Sequence, residues 1–273
     1  MKRLLVFSGV VIFCLFISAV SFAETIGNVA DINYPPGKGV YSSQMADFVT
    51  LNVGFDTEML IEKKFKCDSA ITTQAPDLSG QYYMGRISVT LFNKIQPYVK
   101  LGYSDLEMEW KDNANGTVKL DMNYAPAWAV GVKAYLWEFE GMGLKVFSAA
   151  SFRSTKPDKV DSLSVNGVTG GVTNKKFQIY EKQAAIGISR EFKPGDYKDF
   201  SIVPYVGVAW SATNARVSVT QNANVINSGA KEQEDNWGLF FGADVMIMDS
   251  LSFNVEGRFI DQKAASVGLS ALF

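Results

Sequence analysis

The chain of 273 residues carries 26 lysines and arginines against 28 aspartates and glutamates, with two cysteines and no histidine. A formal charge of −2 leaves no cationic footprint for nucleic acid. Without an imidazole, no mechanism with a histidine general base is open, and a metal site would need a cluster of carboxylates.

Met1-Lys2-Arg3 is a short basic start, Leu4 to Val20 is almost wholly apolar, and Ser21-Phe22-Ala23 puts small residues where a signal peptidase reads. Residues 1–23 are therefore expected to be a secretory signal peptide cleaved after Ala23. A retained anchor helix is the competing reading, but the run is short for a span and ends in a cleavage-like site. Cleavage leaves 250 residues, with Cys67 as the one cysteine and hence no internal disulfide, and with 24 basic residues against 28 acidic ones, a net charge of −4. After Ala23 nothing approaches the roughly 20 continuous apolar residues of a membrane helix, so a mature chain that spans a bilayer must cross it as closed sheet.

Residues 24–45 contain Pro35-Pro36-Gly37 and show no sustained alternation, which predicts an irregular periplasmic lead-in. From 46 to 273 the pattern has period two. Ten strands are expected, at about 47–61, 82–92, 97–110, 121–138, 144–155, 175–192, 201–219, 234–248, 251–260 and 263–273. Four connections are short: Asn93 to Gln96, Phe139 to Gly143, Lys193 to Phe200, and Asp249-Ser250. The connections between them are mostly long and polar: Glu62 to Gln81, Lys111 to Leu120, Lys156 to Asn174, and Thr220 to Gln233; only Ile260 to Gln262 is brief. Short turns at one end, long loops at the other and both termini on the short-turn side are the layout of an all-β, closed, antiparallel up-and-down transmembrane barrel.

Each strand has a greasy row and a polar row. Val49, Leu51, Val53 and Phe55 alternate with Thr50, Asn52 and Asp56; Ile87 and Val89 with Arg86, Ser88 and Thr90; Val99 and Leu101 with Lys100 and Gly102; Val130 and Val132 with Gly131 and Lys133. Trp237, Leu239, Phe241 and Ala243 continue the outer row, with Gly238, Gly242 and Asp244 opposite. Glycine is costly within a strand, so its concentration on the inner row points to a narrow lumen. Phe92, Phe139, Phe192 and Phe273 mark a short-turn rim, while Trp110, Trp210 and Trp237 are placed at the other headgroup level. In the closing hairpin, Leu251, Phe253, Val255 and Phe259 face Ser252, Asn254, Glu256 and Arg258, and the last run ends with Phe273 in its apolar row. A soluble β-sandwich also alternates, and remains the third reading.

In Leu251 to Phe273, Pro204-Tyr-Val-Gly-Val208 and Asn236-Trp-Gly-Leu-Phe-Phe-Gly242 the chain resembles the small bacterial outer-membrane β-barrels of the OmpA-type and opacity-protein superfamily, from about Met45 onward. The resemblance implies the outer membrane as address, with lipid and lipopolysaccharide as surroundings. It implies that Phe273 is part of the signal read by the barrel-assembly machinery; a monomer is expected. Family members commonly have eight strands, the alternative to ten. Outer-membrane hydrolases and omptin-type proteases, as the resemblance implies, use a histidine that this chain lacks, so no catalytic residue, cofactor or metal is assigned.

The charges on the inner row are the candidate site: Arg86, Lys100, Lys133, Asp244, Glu256 and Arg258, with Asp56 as a further lumen acid. Such charges either brace and plug the barrel or line a narrow solute path, and small barrels have interiors just wide enough for side chains. The expected function is a structural or surface-interaction role with a plugged lumen; the alternative is a porin-like channel for small solutes. Glu62 to Cys67 is basic and the later loops are rich in Ser, Thr, Asn and Gly, which leaves the loops as the other place for function.

Overall fold

The structure, a computed structural model, describes residues 26, 29–33, 49–66, 72–112, 116–156, 162–170, 173–195, 200–221, 224–227, 232–247 and 250–273. The expected signal peptide, Pro35-Pro36-Gly37 and Cys67 lie outside the described residues.

Ten long strands form the wall: β1 (Val49–Lys64), β2 (Thr72–Leu91), β3 (Ile95–Asp112), β4 (Gly116–Phe139), β5 (Leu144–Thr155), β8 (Thr173–Arg190), β9 (Phe200–Gln221), β11 (Trp237–Ile247), β12 (Leu251–Phe259) and β13 (Lys263–Leu272). Three short strands, β6 (Ser162–Val165), β7 (Val168–Gly170) and β10 (Asn224–Asn227), lie at the long-loop end. One 3-10 helix spans Ala30–Asn33. Each wall strand pairs antiparallel with the next wall strand, and β1 pairs with β13, Asn52 opposite Leu272 and Asp56 opposite Gly268, so the ring is closed with ten strands. The eight-strand alternative is thereby set aside. At the first short turn, Phe92 and Asn93 both take positive φ, and the Lys94 amide donates to the Leu91 carbonyl at 3.0 Å.

The apolar rows face outward. Val53, Ile87, Val99, Val130, Ile186, Val206, Phe241 and Leu269 are all exposed, Leu101 reaching 65% and Leu269 58%. A continuous apolar band on this scale is the surface that hydrocarbon covers, and a two-sheet sandwich, which would press these rows together, does not occur. Phe92, Phe139 and Phe192 are exposed at the short-turn rim, as the sequence predicts.

Two expectations need correction. The segments Glu62 to Gln81 and Lys111 to Leu120 are not mainly loop: β1, β2, β3 and β4 run on as ladder, Leu78 opposite Met108 and Trp110 opposite Val118. Above the band the outer medium is water, so the sense of the alternation inverts. Glu109, Lys111 and Lys119 face out, while Leu78, Met108, Trp110, Leu120 and Met122 pack inside. Trp110 is therefore 1% exposed in that core and not at the headgroups. In β4 the phase is reset by a bulge at Asn123-Tyr124, with Tyr124 at φ 53, so that Met122 and Ala125 both point inward.

Four inward rings lie over glycines directly opposite them on the next strand: Tyr98 over Gly131, Phe147 over Gly187, Phe240 over Gly207 and Tyr205 over Gly242. A Cβ at any of these glycines would overlap the ring. Gly207→Ala is expected to cost about 1–3 kcal/mol by overpacking against Phe240. Val99→Arg, in the middle of the band, is expected to cost about 2–4 kcal/mol, while Val168→Arg at the exposed hairpin costs under about 0.5 kcal/mol. Urea unfolding in lipid vesicles, read by heat-modifiable gel migration, measures all three.

Candidate functional site

Inward-facing groups line the lumen between the short-turn end and the long-loop end. Nearest the short-turn end lies part of the expected periplasmic lead-in, and this is a difference from the sequence reading: Ile26, Val29 and Ile32 are buried inside the barrel. The Ile26 amide donates to Glu256 Oε1 at 3.0 Å and the Ala30 amide to Asp244 Oδ2 at 2.7 Å, while the Tyr135 hydroxyl donates to the Val29 carbonyl at 3.0 Å. The two carboxylates are tied together through neighbours on β9 and β12. Tyr205 donates to Glu256 Oε2 at 2.8 Å, and Asn254 donates both to the Tyr205 hydroxyl, at 2.8 Å, and to Asp244. Ile26 and Val29 pack against Phe147, Tyr205 and Phe240, and Ala30 against Val203, Met246 and Leu272. Irregular backbone lies inside the barrel without penalty because its amides find carboxylate acceptors.

Across the lumen, β1 to β4 supply a basic wall around one acid. Asp56 is 3.1 Å from Lys100 Nζ and 3.6 Å from an Arg86 guanidinium nitrogen. Lys100 and Lys133 each stand 5.6 Å from the centroid of the Tyr98 ring. Higher up, Arg153 grips Glu58 at 2.9 and 2.8 Å and Glu181 at 2.5 Å, Glu181 also takes Lys63 at 2.5 Å, and the guanidinium lies 3.8 Å over the Tyr82 ring. Beside this quartet, Arg258 is paired with Asp261, which accepts from Ser211 at 2.8 Å, and Gln233 donates to the Asp261 carbonyl at 2.8 Å. An apolar core around Trp110, Met108, Leu120 and Leu163 lies toward the long-loop end.

All six predicted residues, Arg86, Lys100, Lys133, Asp244, Glu256 and Arg258, point into the lumen and are at most 2% exposed. They fall into three groups, with Glu256 in electrostatic reach of both Lys100 and Arg258. Arg86, Lys100 and Lys133 belong to the basic wall, Asp244 and Glu256 hold the amino-terminal segment, and Arg258 belongs to a higher layer with Asp261. Sequence reading missed Lys63, Glu58, Arg153, Glu181 and Asp261. The bulge at Leu60 shifts the phase that brings Lys63 inward, and β5 alternates too poorly to assign a face to Arg153. Among the described residues the buried charges balance, six cations against six anions. The described residues include no group of three or more acidic or sulfur ligands placed to hold a metal.

No protein-family model matches the sequence, and no curated protein matches it. Solved structures similar to the chain include the outer membrane protein OprG from Pseudomonas aeruginosa, at 11% identity over 83% of this chain and 96% of that one, with a TM-score of 0.43. The translocator domain of the autotransporter NalP from Neisseria meningitidis has 10% identity over 86% and 90% with a TM-score of 0.43, and the outer membrane protease OmpT from Escherichia coli has 11% over 86% and 99% with a TM-score of 0.37. The likeness is one of fold.

Removing one member of the buried quartet strands the others. Arg153→Met leaves Glu58 and Glu181 facing each other and is expected to cost about 3–5 kcal/mol, whereas Lys119→Met, which breaks the exposed pair with Glu107, costs under about 1 kcal/mol. Urea titrations of the two variants in the same detergent measure the difference.

Proposed function

We propose that the protein is an integral outer-membrane barrel that neither conducts nor catalyses, and whose work lies at the surface it carries above the band. The observation that supports this reading is the packing of the lumen: the amino-terminal segment with the Asp56 wall beside it, the Arg153 quartet and the Trp110 core lie between the short-turn end and the long-loop end. A solute would have to displace paired charges and a packed apolar layer in turn. The narrow-channel reading requires an aqueous path that these layers occupy.

The strands rise well past the hydrocarbon. A crossing needs about 9–11 tilted residues. β2 has 20, β4 has 24 and β9 has 22. Building ladder above the lipid gives a rigid stalk for the β6–β7 hairpin, where Val168, next to the Asn166-Gly167 turn, is 72% exposed. A rigid, raised, polar rim is what a contact with neighbouring lipopolysaccharide or another surface requires. Export through a cleaved signal peptide, insertion by the assembly machinery with Phe273 as part of its signal, and a monomeric state complete the proposal.

Planar-bilayer recording tests it. The refolded protein, starting at Glu24, is expected to give no unitary steps, and stable steps of uniform size would overturn the plugged reading in favour of the channel. Blocking the path at Gly242 is a poor control, because a side chain there displaces the Tyr205 ring.

A further inference from the structure

β1 changes partner along one of its edges. Up to Glu62 that edge pairs with β13, Glu62 standing opposite Lys263. From Lys64 upward it pairs with the connection that leads into β11: the Glu234 amide donates to the Lys64 carbonyl at 2.9 Å and the Lys66 amide to the Glu232 carbonyl at 2.8 Å. The turn between β12 and β13 meets this connection where the Gln233 side chain donates to the Asp261 carbonyl. A pocket of about 100 Å³ opens there, lined by Glu62, Lys64, Asp235, Ile260, Gln262 and Lys263.

Its residues are held in ways that folding alone does not call for. Ile260, a β-branched residue, sits at φ 83, a strained conformation of the kind that collects at ligand sites. Gln262 is 2% exposed, yet neither atom of its carboxamide has a hydrogen-bond partner. Lys64 and Lys263 are more than half exposed and share the Glu62 carboxylate, so each ammonium keeps hydrogens to donate. Asp261, the remaining acid in the lining, is committed to Arg258 and Ser211. Around the rest of the pocket a purely anionic ligand meets Glu62 and Asp235, and a purely cationic one meets Lys64 and Lys263. A group carrying both signs satisfies both pairs.

We propose that the pocket binds a zwitterionic phosphoethanolamine group carried by a lipid of the outer leaflet, its phosphate between Lys64 and Lys263 and its ammonium toward Asp235 and the Gln262 carboxamide oxygen. Lysine serves phosphate as a point charge, and the exposed lysines put that phosphate at the mouth. Size agrees with the buried end. A cavity of roughly 150 Å³ takes a benzene, so about 100 Å³ takes roughly four non-hydrogen atoms, the length of the ethanolamine arm. Position favours a lipid over a free solute. Ile260 is 63% exposed and follows Phe259, whose ring stacks on Phe241 at 5.3 Å on the outer face, so the pocket opens at the upper edge of the apolar band. The inference rests on the outer-membrane reading above but not on the closed lumen, so unitary conductance would overturn the plugged reading and leave this one standing.

Isothermal titration of the refolded protein in detergent tests it, with glycerophosphoethanolamine, glycerophosphocholine, inorganic phosphate and glycine as probes. Glycerophosphoethanolamine is expected to bind at least on the order of tenfold more tightly than the other three, since choline has no N–H to donate and each of the others lacks part of the group. Asp235→Asn, and Lys64→Met combined with Lys263→Met, should each abolish that preference in protein that keeps heat-modifiable migration. Native mass spectrometry with whole lipids should retain phosphatidylethanolamine where phosphatidylglycerol is lost. Absence of binding, equal binding of phosphate, choline ester or glycine, a preference that survives either variant, or equal retention of the two lipids would each overturn the proposal.

Discussion

The structure depends on the seam where the first wall strand meets the last. Inside a bilayer no water is available to an unpaired amide or carbonyl, so a strand edge left open in hydrocarbon costs several kcal/mol per group. β1 and β13 abolish that edge with ten paired positions, and Leu51 and Phe273 extend the ladder by exchanging bonds, the Phe273 amide donating to the Leu51 carbonyl at 2.8 Å and the Leu51 amide to the Phe273 carbonyl at 3.2 Å. Once the ring is closed with ten strands, its circumference is fixed and its interior must be filled by what the ten inner rows supply. The four ring-over-glycine pairs fill it in a particular way. Because Tyr98, Phe147, Phe240 and Tyr205 lie flat on neighbouring backbone, they cover the wall and do not reach across the axis. The axial space that remains is what the amino-terminal segment and the long cationic side chains occupy.

Much of this was legible because lipid imposes one rule on every strand within its thickness. Apolar out and polar in, with period two, identified ten strands, the short turns and the lumen charges, and none of that required knowledge of a partner surface. The rule failed where its cause ended. Beyond the headgroups water replaces hydrocarbon outside, and the same ladder reads as apolar in and polar out. Lys111 and Lys119 then look like loop residues, and Trp110 looks like an interfacial anchor, although all three sit on strands β3 and β4. Bulges hid the rest, since a one-residue change of phase at Leu60 or a reset at Tyr124 turns a continuous row into an apparent break.

The lumen charges show a similar division between what period two can and cannot reveal. It assigns a face, the inner one for Arg86, Lys100, Lys133, Asp244, Glu256 and Arg258, all of which are buried. It assigns no height and no partner. Arg258 and Glu256 are two residues apart on one strand yet belong to different layers, because the guanidinium reaches up to Asp261 while the carboxylate turns toward the amino-terminal segment. Buried charges of this kind are weak evidence for stability but strong evidence for geometry: each pair tolerates few arrangements, so the layers lock the register of the strands that carry them.

The amino-terminal segment reads as lead-in because it lacks alternation, and a segment packed inside a barrel has no reason to alternate. It does carry a signal of another kind. Ile26, Val29 and Ile32 recur every third residue, the period at which a 3-10 turn stacks its side chains, and all three are at most 2% exposed. A three-residue apolar period is too short to predict a helix in isolation, since one turn of helix does not hold itself together in water. It becomes informative only beside a carboxylate-bearing wall that can take the free amides. Asp244 and Glu256 supply that wall, so the meaning of Ile26 to Ile32 is written partly in residues more than 200 positions away.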